Sequence, residues 1–129
     1  MKYETESFTP ELRVASFDLA ESLALSEAIL GYTQAHQILM KDKQALQLID
    51  EVNHLQRTVY TGGSSGENLE DDIIRLRELQ ELISENTAIQ EQAIARETAV
   101  ALLREVNQEI SQLLGIDFAS LAMRPGASC

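Results

Sequence analysis

Aliphatic residues recur at helical spacing along nearly the whole chain. Ala45, Leu48, Val52, Leu55 and Val59 step by 3, 4, 3 and 4, which places all of them on one side of an α-helix as a heptad seam. Leu46 and Ile49 widen that seam, so the face can meet more than one neighbour. The same rhythm runs through Leu12, Ala15, Leu19, Ala20 and Leu23, and through Ala28, Ile29, Tyr32, Ala35 and Leu39. It returns in Leu69, Ile73, Leu76, Leu79 and Ile83, and in a last run from Ile89 and Ala93 through Ala99, Leu102, Leu103, Val106 and Ile110 to Leu113. A pattern of this period does not settle as strands.

Composition agrees. Aromatics are 5%, Trp is absent and there are only 2 Pro, which is poor material for a β-sandwich. With 129 residues the chain is long enough for one core and too short for two lobes. The expected fold is therefore all-α: an antiparallel long-helix bundle of about five helices. Its stripes exceed what one small chain with few aromatics can cover, so the bundle is expected to self-associate as a dimer or higher oligomer. The residues expected at that interface are Leu48, Val52, Leu55, Val59, Leu76, Ile83, Leu102, Val106 and Ile110.

Punctuation along the chain predicts the boundaries. Residues 1–9 read as a polar tail, and 10–121 as the helical domain. Thr9 is a candidate N-cap ahead of Pro10, and Ser26, Asp42 and Asn86 are candidate caps for later helices. Whether the first two helices are separate or one kinked rod stays open. Gln90 stands near the reciprocal position of a capping box. Residues 61–68, rich in Gly and Ser, break the chain most clearly and predict a mobile turn between antiparallel helices. The fourth helix opens at Glu67 or Asn68. Gly115 is a natural helix stop, and Ile116, Phe118, Leu121 and Met123 suggest a short amphipathic turn packing back. Residues 122–129 form a tail ending in Cys129. The third and fourth helices, and the fourth and fifth, are expected to pair as hairpins.

Charge narrows the partners. Ten Lys and Arg against 21 Asp and Glu give a net charge of −11, a surface that repels phosphate backbones and anionic lipid. No direct nucleic-acid binding is expected, and no membrane insertion, since no apolar run approaches the roughly 20 residues a span requires. The start of the chain lacks the apolar core of a signal peptide, and a single cysteine cannot form an internal disulfide. The expected location is cytoplasmic.

No motif carries catalysis. His36 and His54 sit on different predicted helices, outside any zinc-binding pattern. Glu67, Glu70, Asp71 and Asp72 crowd a helix start, where the macrodipole favours negative charge. The Gly63–Gly66 stretch lacks the lysine and spacing of a phosphate loop and is too loose for a nucleophile elbow. The protein is not expected to be an enzyme. Cys129 is the one residue with a specific chemical alternative: a thiol ligand to a metal or iron–sulfur cluster shared between chains. No other cofactor is expected. A small-molecule-binding bundle is a further alternative.

Several strings resemble the YlbF/YmcA family of small helical bacterial regulators. They are FDLAESLALSEAI at 17–29, GYTQAHQIL at 31–39, KDKQALQLIDEV at 41–52, NTAIQE at 86–91 and VNQEISQLLGIDF at 106–118. The resemblance extends from Ala15 to Leu121, while the 62–66 loop departs from the family's more charged connector. It implies an all-α, self-associating, non-enzymatic adaptor. It also implies a complex that modulates mRNA processing by ribonuclease Y, and with it competence, sporulation and biofilm formation. Some relatives carry C-terminal cysteines associated with iron–sulfur clusters; the matching position here is Cys129 alone.

Overall fold

The computed structural model describes residues 8–63 and 66–122. Among them it contains helices and no strand: α1 (Pro10–Ala24), α2 (Glu27–Lys41), α3 (Lys43–Tyr60), α4 (Glu67–Glu85), α5 (Thr87–Leu114) and a short α6 (Phe118–Ala122). Five are long, as the periodicity predicts, and α1 and α2 are separate. Side-chain caps set four of the starts. Thr9 Oγ1 accepts from the Leu12 amide at 3.2 Å, Ser26 Oγ from Ile29 at 3.4 Å, Asp42 Oδ1 from Ala45 at 3.0 Å and Asn86 Oδ1 from Ile89 at 3.0 Å. Each satisfies a backbone donor that the first turn leaves without an intrahelical partner. At its far end α5 stops on Gly115, whose φ of 72° lies in the left-handed region that an L side chain enters only with strain.

Asp42 is the single residue between α2 and α3, and Asn86 the single residue between α4 and α5; both are extended, with ψ of 99° and 115°. One extended residue interrupts a helix but cannot reverse it, because helical hairpins use loops of about 2–5 residues. So α2 with α3, and α4 with α5, make two rods each broken once in the middle. The chain reverses between the rods at the Gly-rich turn after Tyr60. The rods run antiparallel with their breaks level: Asp42 and Asn86 line one open hollow of about 390 Å³ together with Leu48 and Leu82.

This register decides the packing. α3 lies against α4, and α2 lies against α5 in the most extensive helix pairing of the molecule. The expected hairpin of α4 with α5 is therefore corrected. Those two helices meet far less, and Gln90, instead of closing a capping box, donates its side-chain N–H to the Ile83 carbonyl at 3.0 Å. That bond ties the end of α4 to the start of α5 across the break.

The core is small. Among the described residues the buried hydrophobics are Leu39, Ala45, Val52, Leu76, Leu79 and Ala99. Val52, Leu76 and Leu79 form one cluster between α3 and α4, flanked by Leu48, Leu55 and Ile83. Leu39 of α2 and Ala99 of α5 belong to the other pairing. None of the residues of α1 is buried. α6 is held to α5 mainly by polar bonds: the Phe118 amide donates to Ser111 Oγ at 3.1 Å, and the Ile116 amide to the Ser111 carbonyl at 3.2 Å. Phe118 and Leu121 stay exposed, so the segment bends back without burying its apolar residues; Met123 lies outside the described residues.

Candidate interaction surface

The nine residues expected at an interface between chains separate into two groups. Val52 and Leu76 are buried inside this chain, and Leu48, Leu55 and Ile83 pack against them. Val59 is half-buried in the last turn of α3. These six lie on the α3/α4 half. Leu102, Val106 and Ile110 are half-buried on α5, away from that cluster.

Larger apolar areas lie where no described helix covers them. On α1, Leu12, Val14, Phe17 and Leu19 are all exposed, Phe17 at 66%. On the second half of α5 and just beyond it, Leu103, Leu113, Leu114, Ile116 and Phe118 are exposed, Leu113 at 79%. The nine expected residues include Leu102, Val106 and Ile110 beside this exposed stretch of α5 but none of the exposed residues just named. The signal that finds them is helix length. α5 has 28 residues and α2 has 15, so a level start leaves about 13 residues of α5, or about 20 Å, projecting beyond the pairing.

Polar groups on this surface act structurally. Arg75 of α4 donates through Nε and Nη2 to Glu51 Oε2 of α3 at 3.0 and 2.8 Å, and reaches Glu78 Oε2 at 3.4 Å. The Glu51 hydrogen bonds, then its charge, raise the guanidinium pKa. With both side chains about half exposed, this pair fixes register more than it adds stability. Asp117 accepts from the Ser120 hydroxyl at 2.6 Å and from its amide at 3.3 Å. The hydroxyl bond first, then the amide, holds the carboxyl below its ordinary pKa.

His36 stacks on Tyr32 one turn earlier on α2, with ring centroids 5.9 Å apart, and His54 borders an open hollow with Asp50, Glu51 and Arg57. They sit on different helices, α2 and α3. No group of three or more His, Cys, Asp or Glu suited to a metal occurs among the described residues. Cys129 and the residues 123–128 before it lie outside the described residues, as do Ser64 and Ser65 of the Gly-rich turn. No helix among the described residues is long and apolar enough to cross a membrane. A hollow of about 700 Å³ is an open groove where α5 meets α6, lined by Arg104, Asn107, Gln108, Asp117 and their neighbours. It has the shape of a docking surface rather than of an enclosed ligand site.

Known proteins share this architecture. Residues 15–114 match the family described as "Control of competence regulator ComK, YlbF/YmcA". UPF0342 proteins from two strains of Lactobacillus delbrueckii subsp. bulgaricus are each 26% identical over 104 residues, covering 80% of this chain and 89% of theirs. Among solved structures, that of Bacillus subtilis RicA in complex with RicF superposes with a TM-score of 0.71 at 19% identity, covering 84% of this chain and 96% of that one. At that identity the likeness is one of fold.

Proposed function

The chain belongs to the YlbF/YmcA family of competence regulators, and from that membership we propose that it is a non-enzymatic adaptor. Its work is to assemble, with itself and with other proteins, into a cytoplasmic complex that modulates ribonuclease Y-dependent mRNA processing and the developmental programmes downstream. The observation that carries this reading is the uncovered aliphatic surface of α1 and of the second half of α5. A monomer gains nothing from exposing leucines and phenylalanines in stripes, whereas a subunit of a complex needs them. The solved pairing of RicA with RicF supports the same logic for this fold, since there a chain of this shape is found with a protein partner.

The net charge of −11 argues for acting on RNA through a protein, because a bundle this acidic repels the phosphate backbone. Affinity purification from the native host followed by mass spectrometry tests the proposal. Recovery of ribonuclease Y or its regulators is the expected result. Repeated purification of the chain with no protein partner would refute it.

A further inference from the structure

We propose that the outer face of α4, together with the hollow where the two rods break, docks a basic amphipathic helix of a partner protein. The inference names a partner chemistry for the adaptor proposed above and rests on that reading. Three observations lead there.

The first is a second heptad seam on α4, opposite in character to the buried one. Leu76 and Leu79 are buried and Ile83 packs beside them, which fixes the inner side of the helix. Asp71, Ile74, Glu78, Glu81 and Glu85 step by 3, 4, 3 and 4 on the other side, and all five are exposed. Such steps keep side chains in line along a helix, which is the track a second helix follows. From Asp71 to Glu85 the track is about 21 Å long. Ile74, 55% exposed, gives it one apolar anchor. The other four members are acids, so a second copy of this acidic face is repelled from it.

The second is charge without compensation. Arg75 and Arg77 are the only bases of α4, and Arg75 is engaged with Glu51 and Glu78. Asp71, Glu81 and Glu85 have no ion-pair partner among the described residues. Glu78, Glu81 and Glu85 are neighbours three and four apart, where like charges destabilise a helix. A row of lysines or arginines laid along the seam relieves that repulsion.

The third is where the seam ends. Glu85 is the last residue of α4 and lines the hollow of about 390 Å³ with Asp42, Leu48 and Leu82. Lys41 and Lys43 flank Asp42 in sequence but lie outside that lining. Two leucines and two carboxylates around one concavity suit a lysine or arginine, whose aliphatic stem covers apolar surface while its charged head meets the acids. A helix following the seam reaches the hollow with its last turn, so one of its basic side chains is placed to enter. The seam, Ile74 and the hollow together select a helix with bases on one face, where a row of acids alone would attract any cation.

The experiment uses the full chain, isotope-labelled for NMR, and a synthetic helical peptide of about 16 residues, just over four turns. The peptide carries lysines and a leucine at heptad spacing on one face and alanine elsewhere. Amide shifts map the contact, and fluorescence anisotropy gives the affinity. Glu81→Lys/Glu85→Lys and the milder Glu81→Gln/Glu85→Gln are compared with Glu105→Lys/Glu109→Lys. The last makes the same change of net charge as the first, at exposed positions of α5. Circular dichroism confirms that each variant keeps its helicity. Purification from the native host is repeated with the wild type and with Glu81→Lys/Glu85→Lys.

The expected shifts cluster on the outer face of α4 and around the hollow. Affinity should fall about tenfold or more in Glu81→Lys/Glu85→Lys, less in the glutamine variant, and at most about threefold in the α5 control. Equal weakening by the α5 control would show that net charge alone acts and would overturn the surface, as would shifts centred elsewhere or a peptide that does not bind. In the host, loss of the wild type's partner in Glu81→Lys/Glu85→Lys supports the proposal. A partner held equally by both chains overturns the surface and leaves the adaptor reading standing. A wild type without any partner, whose α4 still takes the peptide, refutes the adaptor reading and leaves the helix-binding face supported.

Discussion

Leu79 and Ile94 are both aliphatic residues on long helices, yet the structure gives them opposite weights. Leu79 is fully buried between α3 and α4, whereas Ile94 is 64% exposed on α5. Removing the Leu79 side chain to give Leu79→Ala leaves a cavity in the tightest part of a small core, and should cost about 3 kcal/mol. Ile94→Ala should change stability by less than about 0.5 kcal/mol. Urea denaturation of both variants measures the contrast; equal effects would mean that the α3/α4 cluster is not the core. Asp117 offers a test in pH. Its carboxyl is held below the ordinary aspartate pKa, first by the Ser120 hydroxyl and then by the Ser120 amide. A depressed carboxyl favours the folded turn while ionised, so the bonds that start α6 persist at neutral pH and are lost as the pH falls through the folded-state pKa. NMR titration should show Asp117 protonating at a lower pH than a free aspartate, and Ser120→Ala should move it upward.

Most element boundaries were legible in the sequence because they are written in one residue, although α4 starts at Gly66 without a side-chain cap and the separation of α1 from α2 was not decided by the pattern. Thr9, Ser26, Asp42 and Asn86 all cap as their residue types predict, and Gly115 ends α5. Which helices pair was not legible, because a stripe of leucines says that a face is covered without saying by what. The missing datum was the length of the links. A cap at Asn86 looks like a hairpin corner, but a single residue only interrupts the rod, so α5 continues away from α4 and meets α2. Gln90 escaped for a similar reason: its role depends on the Ile83 carbonyl, seven residues away across that break. The caps differ in what they hold. Asn86→Ala and Asp42→Ala should each lower global stability by about 1 kcal/mol, because both sit where the two rods pack. Thr9 caps a helix that buries nothing, so in the monomer Thr9→Ala should fray α1 and leave global stability unchanged. Denaturant titration combined with amide exchange separates the two cases. Faster exchange confined to α1 is the expected signature of Thr9→Ala, and a global loss in that variant would mean that α1 packs on its own chain.

At the scale of the whole molecule, apolar attraction and charge oppose one another. Each copy carries −11, so bringing two together doubles the net negative charge of one assembly. The mutual repulsion is long-ranged in dilute buffer and screened within about 8 Å at physiological ionic strength. Association of copies through the uncovered stripes of α1 and α5 would rest on leucine, valine and phenylalanine, whose attraction does not weaken with salt. Self-association should therefore tighten as salt is raised from about 20 to 200 mM, where the Debye length shortens several-fold. Sedimentation equilibrium across that range measures it. A dimer held chiefly by ion pairs would loosen instead, and that outcome would exclude the aliphatic contact. The same reasoning applies to heterologous partners. A basic protein surface approaching this one gains from the charge and should bind less tightly as salt rises, so salt separates the two kinds of contact in one titration. The homotypic contact would strengthen over the range in which a basic partner lets go, which makes ionic strength the variable that shows whether the acidity of the chain serves partner recognition or merely keeps its apolar stripes in solution.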